Sequence, residues 1–249
     1  MNDSIQIYID SQNASKYINN TNWCEFNIPQ LAIDSQYHFA LSVVNASIPY
    51  SFYNVNSNNN TIQWIEDPYI SFIPHQYTMT QGNYTITQLI SHLNTLLAPL
   101  VLNYNSITNK ITFTHPTVQF AFYNNNNTCF ELLGLSSKNQ FSSVGRVLVS
   151  DLVCNLFTIR SICVCSNFRT SNFHSNRHHM NSVLCNIPVN SNINSLILYE
   201  NTNNFRNNLF MSNVDELHIK LLDQNANIIN LNGANWNMTL QFDIFRFVD

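Results

Sequence analysis

Residues 214–249 read Val214-Asp-Glu-Leu-His-Ile-Lys-Leu-Leu-Asp223, then a polar crossing that holds Asn232-Gly233, then Trp236-Asn-Met-Thr-Leu-Gln-Phe-Asp-Ile-Phe-Arg-Phe247. In the second arm Trp236, Met238, Leu240, Phe242 and Ile244 alternate with Asn237, Thr239, Gln241 and Asp243, until Phe245 breaks the pattern. Successive side chains of an extended chain point to opposite faces, so this alternation predicts a half-buried β-strand. A chain that closes on a long aromatic strand is expected to end in the middle of a sheet. The expectation is therefore a β-sandwich or barrel, with Asn232-Gly233 as the turn into its last strand and Trp236 in its core.

Outward from this stretch, short apolar segments recur between turn residues. They predict strands at 5–9, 23–28, 38–48, 51–55, 61–65, 69–73, 101–105, 110–114, 118–122, 146–152, 155–164, 183–187 and 196–198, besides 214–222 and 236–248. The pair 102–105 and 111–114 has the pattern of a hairpin across Thr108-Asn109-Lys110. Prolines 29, 49, 74, 116 and 188 are placed at strand ends, where a missing amide donor does least harm. Ile86, Leu89, Ile90, Leu93, Leu96 and Leu97 recur at helical spacing after Thr85, a good N-cap, so a helix is expected at about 85–98. Cys129-Phe-Glu-Leu-Leu-Gly134 predicts a helical turn stopped by glycine. The remainder is all β, in one domain over 1–249, with an N-terminal arm of about 1–20 and a loop insertion within 124–181.

Composition narrows the function classes. Apolar residues make up 45% of the 249 and aromatics 12%, enough for a sizeable core. Charged residues are only 10%, against a usual share of about 25%. The 43 asparagines supply the polar surface instead, which fits the codon usage of an AT-rich genome. A net charge of -4 with ten Lys+Arg is too acidic to neutralise phosphates, which argues against direct nucleic-acid binding. A surface poor in charge is cheap to desolvate, as an assembly subunit requires. No run approaches the roughly 18 apolar residues of a membrane helix, and the N-terminus has no signal-peptide pattern. Six cysteines without framework spacing read as reduced thiols, and the Asn-x-Ser/Thr sequons as by-products of composition.

Candidate chemistry is sparse. Cys163-Val-Cys165 followed by His174, His178 and His179 is the strongest metal-like grouping. One residue between paired cysteines is too few for a zinc finger, and residues at i and i+2 of a strand share a face, so both are expected to pack as small apolar groups. The carboxylate pairs Glu66-Asp67 and Asp215-Glu216 adjoin strand ends and read as solvated turns. Glycines at 82, 134, 145 and 233 are too scattered for a phosphate loop. Trp236 is assigned to the core, while Trp23 and Trp64 fit either core or surface. No catalytic, cofactor or metal residue is expected.

Three blocks resemble a known family. They are Phe39-Ala-Leu-Ser-Val-Val-Asn-Ala-Ser-Ile-Pro-Tyr-Ser-Phe-Tyr-Asn-Val55 with Thr61-Ile-Gln-Trp64, then Gln81-Gly-Asn-Tyr-Thr-Ile-Thr-Gln-Leu-Ile-Ser-His-Leu-Asn94, and Leu221-Leu-Asp-Gln with Leu231-Asn-Gly-Ala-Asn-Trp-Asn-Met-Thr-Leu240. In this order they resemble the penton and other minor capsid proteins of eukaryotic double-stranded DNA viruses: virophages, polinton-like viruses and nucleocytoplasmic large DNA viruses. The resemblance implies a single jelly roll of two antiparallel four-stranded sheets. It also implies a non-enzymatic virion protein that forms homopentamers at the five-fold vertices of an icosahedral capsid. Its partners would be itself, trimers of a double-jelly-roll major capsid protein and other minor capsid proteins. Assembly would take place in the host cytoplasm or a virus factory. A cement protein between major-capsid trimers and a lectin-like attachment protein are the alternatives.

Overall fold

The two arms of the C-terminal stretch are both strands, but they belong to different sheets. A computed structural model describes residues 4–17, 23–68, 74–123, 127–136, 140–169, 182–209 and 211–246. The chain opens with β1 (Ser4–Asp10), β2 (Lys16–Tyr17), β3 (Trp23–Ala32) and β4 (Tyr37–Pro49). It continues through β5 (Thr61–Glu66), β6 (Pro74–Thr78), α1 (Ile86–Leu96), β7 (Val101–Asn105), β8 (Lys110–Thr114) and β9 (Phe120–Tyr123). Then come α2 (Phe130–Leu133), β10 (Gln140–Ser142) and β11 (Val147–Val149). The last strands are β12 (Ser161–Ser166), β13 (Val183–Pro188), β14 (Leu196–Glu200), β15 (Asn207–Leu209), β16 (Asn213–Leu222) and β17 (Asn237–Arg246).

The chain divides into two compact units, Met1–Phe52 with Ile159–Asp249, and Tyr53–Thr158. In the first unit one sheet has the order β1-β17-β4-β14, with the short β15 also paired to β4. The other has the order β13-β12-β16-β3-β2. Apart from the short β2 and β15, successive strands fall in the first sheet, the second, the first, the second twice, then first, second and first. Eight strands wound in this way between two antiparallel four-stranded layers make a jelly roll, as expected. The strand β17 is central, between β1 and β4.

Side-chain alternation explains how the layers close on each other. Trp236, Met238, Leu240 and Phe242 are fully buried, and Trp236 meets Phe26 of the opposite sheet edge-to-face at 5.9 Å. The turn into β17 needs left-handed backbone at two consecutive residues, and Asn232 (φ 53°) with Gly233 (φ 82°) provides it at little cost. The amide of Ala234 donates to the carbonyl of Leu231 at 3.0 Å to close that turn.

Pro29 departs from its expected place. β3 runs on to Ala32, and the proline lies where the pairing with β16 jumps from Leu31 to Asn27. A proline has no amide hydrogen to give, so a strand tolerates it where the ladder is already interrupted.

The second unit has its own core of buried residues, none of which belongs to the core of the first. Its sheets have the orders β10-β9-β5-β6 and β11-β8-β7. The expected hairpin is β7–β8, with Asn109 at φ 55° in its turn. Helix α1 starts at a capping box in which Thr85 and Gln88 satisfy each other's backbone amides. It buries Leu89 and Leu93. Gly134 (φ 73°) ends α2. The hydroxyl of Thr158 donates to the carbonyl of Asn54 at 2.9 Å, which joins the two ends of this unit.

Beside the expectation of one domain over 1–249 with a loop insertion within 124–181 stands a division into two compact units with separate cores, the second over Tyr53–Thr158. The strand expected at 5–9, within the segment expected as an arm, is the edge strand over Ser4–Asp10, held in register along β17 because Ile7 and Ile9 add to the core. Residues 51–55 and 155–160 are not strands, and only Val55 makes an isolated bridge, to Gly82. The strand expected at 69–73 lies outside the described residues.

Candidate functional site

The surface of the jelly-roll unit is built from strand alternation, like its core. On β14, Ile197 points inward, and Leu196 and Leu198 point out, Leu198 with 68% exposure. Beside it on the same outer face, Ser47 and Asn45 of β4 lie next to Asn237 and Thr239 of β17, and Tyr8 of β1 lies beyond Thr239. Gln6 donates across to Gln241 at 2.9 Å. The middle of this face is mostly amides and hydroxyls, with Leu196, Leu198 and Glu200 along one edge, Tyr8, 61% exposed, and Asp10 along the other, and the ion pair of Asp243 with Arg206 (3.1 Å) next to Gln241. Neutral groups lose less than charges when water is removed, so the centre of the face suits contact with another protein surface.

The outer face of the second sheet carries Cys163 and Cys165. They pack with Val183 and Leu222 in a small apolar cluster, under Ala226 and Ile228. Burial pushes the Cys165 thiol up to about 12, and burial followed by the nearby Asp223 raises that of Cys163. Thiols held protonated in this way are poor nucleophiles and poor metal ligands. His174, His178 and His179 lie outside the described residues. Trp23 of β3 is half-buried on this face, with the Lys220 ammonium 3.6 Å above its ring.

In the second unit Trp64 is fully buried and stacks on His75 at 4.8 Å. Glu66 is half-exposed, 3.5 Å from Nε2 of His115 and 4.0 Å from Nε2 of His75, so the expected solvated turn is instead a carboxylate facing two imidazoles. Nδ1 of the buried His115 accepts from the amides of Thr117 and Val118, which leaves the proton of the neutral ring on Nε2, facing Glu66. A lone pair is then not free on Nε2 for a metal. Asp215-Glu216 likewise falls inside β16 and not at a strand end.

A cleft of about 860 Å³ in the same unit is lined by Ile86, Leu156 and Phe157 together with Lys110, Glu131 and Asp151. Its polar groups are already engaged: Lys110 Nζ donates to the Asp151 carbonyl at 2.9 Å and Asn155 Nδ2 to Glu131 at 3.3 Å. Cys154 Sγ donates to the Leu132 carbonyl at 3.1 Å, and burial pushes this thiol up to about 11. These groups do not form a nucleophile–base pair. Among the described residues no helix is long and apolar enough to cross a membrane.

The amide- and hydroxyl-rich centre of this outer face was hidden in the sequence because asparagine, glutamine and serine occur everywhere in it. Leu196-Ile-Leu198 was the available signal, since an all-apolar strand is the pattern of burial on both faces.

A family model described as "Family of unknown function (DUF5901)" matches residues 3–241. No curated protein matches the chain. Among solved structures, the selenomethionine-labelled mavirus penton protein aligns with a TM-score of 0.51 at 12% identity, over 98% of this chain and 100% of that one. The cryo-EM structure of the Sputnik virophage aligns with a TM-score of 0.45 at 15% identity, over 95% of this chain and 97% of that one. At such low identity the first of these establishes a shared fold.

Proposed function

We propose that this chain, which belongs to the family of unknown function DUF5901, is a structural subunit of an icosahedral virus capsid and occupies its five-fold vertices as a homopentamer. The observation that carries this reading is the end-to-end likeness of fold to a penton protein, over 98% of this chain and 100% of the other. Five copies would meet head to tail around the axis, a heterologous contact that closes into a ring. The amide- and hydroxyl-rich centre of the outer face of the β1-β17-β4-β14 sheet, with exposed leucines along β14, supports burial against protein. Trimers of a double-jelly-roll major capsid protein would surround the ring, and the virion is the corresponding location. The reading assigns no reaction and no cofactor to the chain.

Native mass spectrometry of the purified chain tests it. Pentamers are expected, alone or after addition of the major capsid protein, and strict monomers under both conditions refute the vertex assignment. Copy number in particles separates the penton from a cement protein, because twelve vertices of five subunits give about 60 copies.

A further inference from the structure

On the outer face of the β13-β12-β16-β3-β2 sheet, His218 of β16 pairs directly across from Glu25 of β3, and Glu216 lies two residues earlier on the same face as His218. One ligand atom from each of the three falls within 4.8 Å of the other two. Nε2 of His218 is closed off from solvent and lies 3.0 Å from Oε1 of Glu216, yet among the described residues it has no hydrogen-bond partner because the ring nitrogen is not directed at that oxygen. Two donors this close but not aimed at each other have the spacing of neighbouring ligands around one ion. At metal–ligand distances of about 2.1 Å, adjacent ligands are roughly 3.0 Å apart in octahedral and roughly 3.4 Å apart in tetrahedral geometry.

The strand positions are held from a third side. Asn167 accepts from the amide of His218 at 3.1 Å and donates to the carbonyl of Glu216 at 3.3 Å. A cation of the protein already competes for the place: Lys16 Nζ lies 3.3 Å from Glu25, on a side chain 64% exposed and free to swing out.

We propose that Glu25, Glu216 and His218 form a binding site for a divalent transition-metal ion of the zinc class, one imidazole and two carboxylates with water completing the shell. Such a donor set suits zinc and leaves open coordination positions. The ion would take the place of the Lys16 ammonium and cross-link β3 to β16. It is independent of the capsid reading.

Zinc chloride titrated into the full-length reduced chain by calorimetry tests the site. One zinc per chain is expected. Affinity should fall by about tenfold or more in His218→Ala and in Glu25→Gln. It should rise severalfold in Lys16→Gln, a gain that misfolding cannot produce. A chain with His174, His178 and His179 all replaced by asparagine should bind as before, and the cobalt form should lack a thiolate charge-transfer band. Absence of stoichiometric zinc, unchanged affinity in His218→Ala, or loss of binding in the triple-histidine variant overturns the proposal.

Discussion

Replacing Phe242 by alanine should cost the jelly-roll unit about 4 kcal/mol, while replacing its neighbour Gln241 should cost almost nothing. Phe242 is fully buried and meets Phe39 edge-to-face at 5.9 Å. A phenylalanine buries about 150–250 Å², which at about 25 cal/mol per Å² is worth roughly 4–6 kcal/mol before the retained Cβ is subtracted. The lost aromatic pair adds about 0.5–1.5 kcal/mol, and measured Phe→Ala changes in cores run to about 3–5 kcal/mol. Gln241 points to the outer face, where its contact with Gln6 is exposed and its other partner, the buried Asp243, keeps Arg206 at 3.1 Å, so about 0.5 kcal/mol is expected.

The assay is urea unfolding followed by fluorescence and circular dichroism. With a slope of about 2–3 kcal/mol per molar, Phe242→Ala should lower the midpoint by about 1.3–2 M, and Gln241→Ala by about 0.2 M. Comparable losses from the two substitutions would refute the reasoning, because a one-residue slip of β17 exchanges its two faces.

Three further outcomes follow from the same physical arguments. Gly134→Ala should destabilise the second unit by about 2–4 kcal/mol, because the residue sits at φ 73° and an added Cβ would lie 2.5 Å from the Leu152 carbonyl oxygen; thermal unfolding read on Trp64 checks it. Burial pushes the Cys129 thiol from 9.0 up to about 12, so above pH 9 the unfolded chain sheds a proton that the folded chain keeps. Stability should fall as pH rises from about 9 towards 12, and Cys129→Ala should flatten that slope by about 1.4 kcal/mol per pH unit, measured by urea midpoints across the alkaline range. Residues Tyr53–Thr158 expressed alone should fold cooperatively, with Trp64 emission blue-shifted as in the intact chain, since their core is self-contained and Thr158 bonds Asn54 at their ends; a non-cooperative transition would count against an autonomous unit.

Most elements of the fold were legible as periodicity. The alternation from Trp236 to Ile244 marks a strand wherever it is placed, because side-chain direction in an extended chain depends only on parity. The i, i+3, i+4 spacing of Leu89, Ile90 and Leu93 with Thr85 and Gln88 ahead of it specifies α1 in the same local way. What was misread depended on distant neighbours. Pro29 reads as a strand end until the interrupted ladder opposite it on β16 is known. Residues 155–160 have strand-like composition but no partner strand among the described residues, and without a ladder the propensity has nothing to pair with.

The candidate sites show the same division more sharply. Cys163 and Cys165 could be assigned to one face from their spacing alone, and they share it, packed with Val183 and Leu222. Glu25 and His218 are almost two hundred residues apart, and only the antiparallel register of β3 with β16 sets them opposite each other. By itself the sequence determined a β-rich chain, poor in charge, whose last strand is half-buried, because composition and parity are local properties. The tertiary structure alone decided that β16 and β17 separate into facing sheets and that Tyr53–Thr158 forms a second core. It also decided which neutral residues share an exposed face. Those features arise from pairings between segments far apart in the chain, and no local pattern encodes which strand will lie next to which.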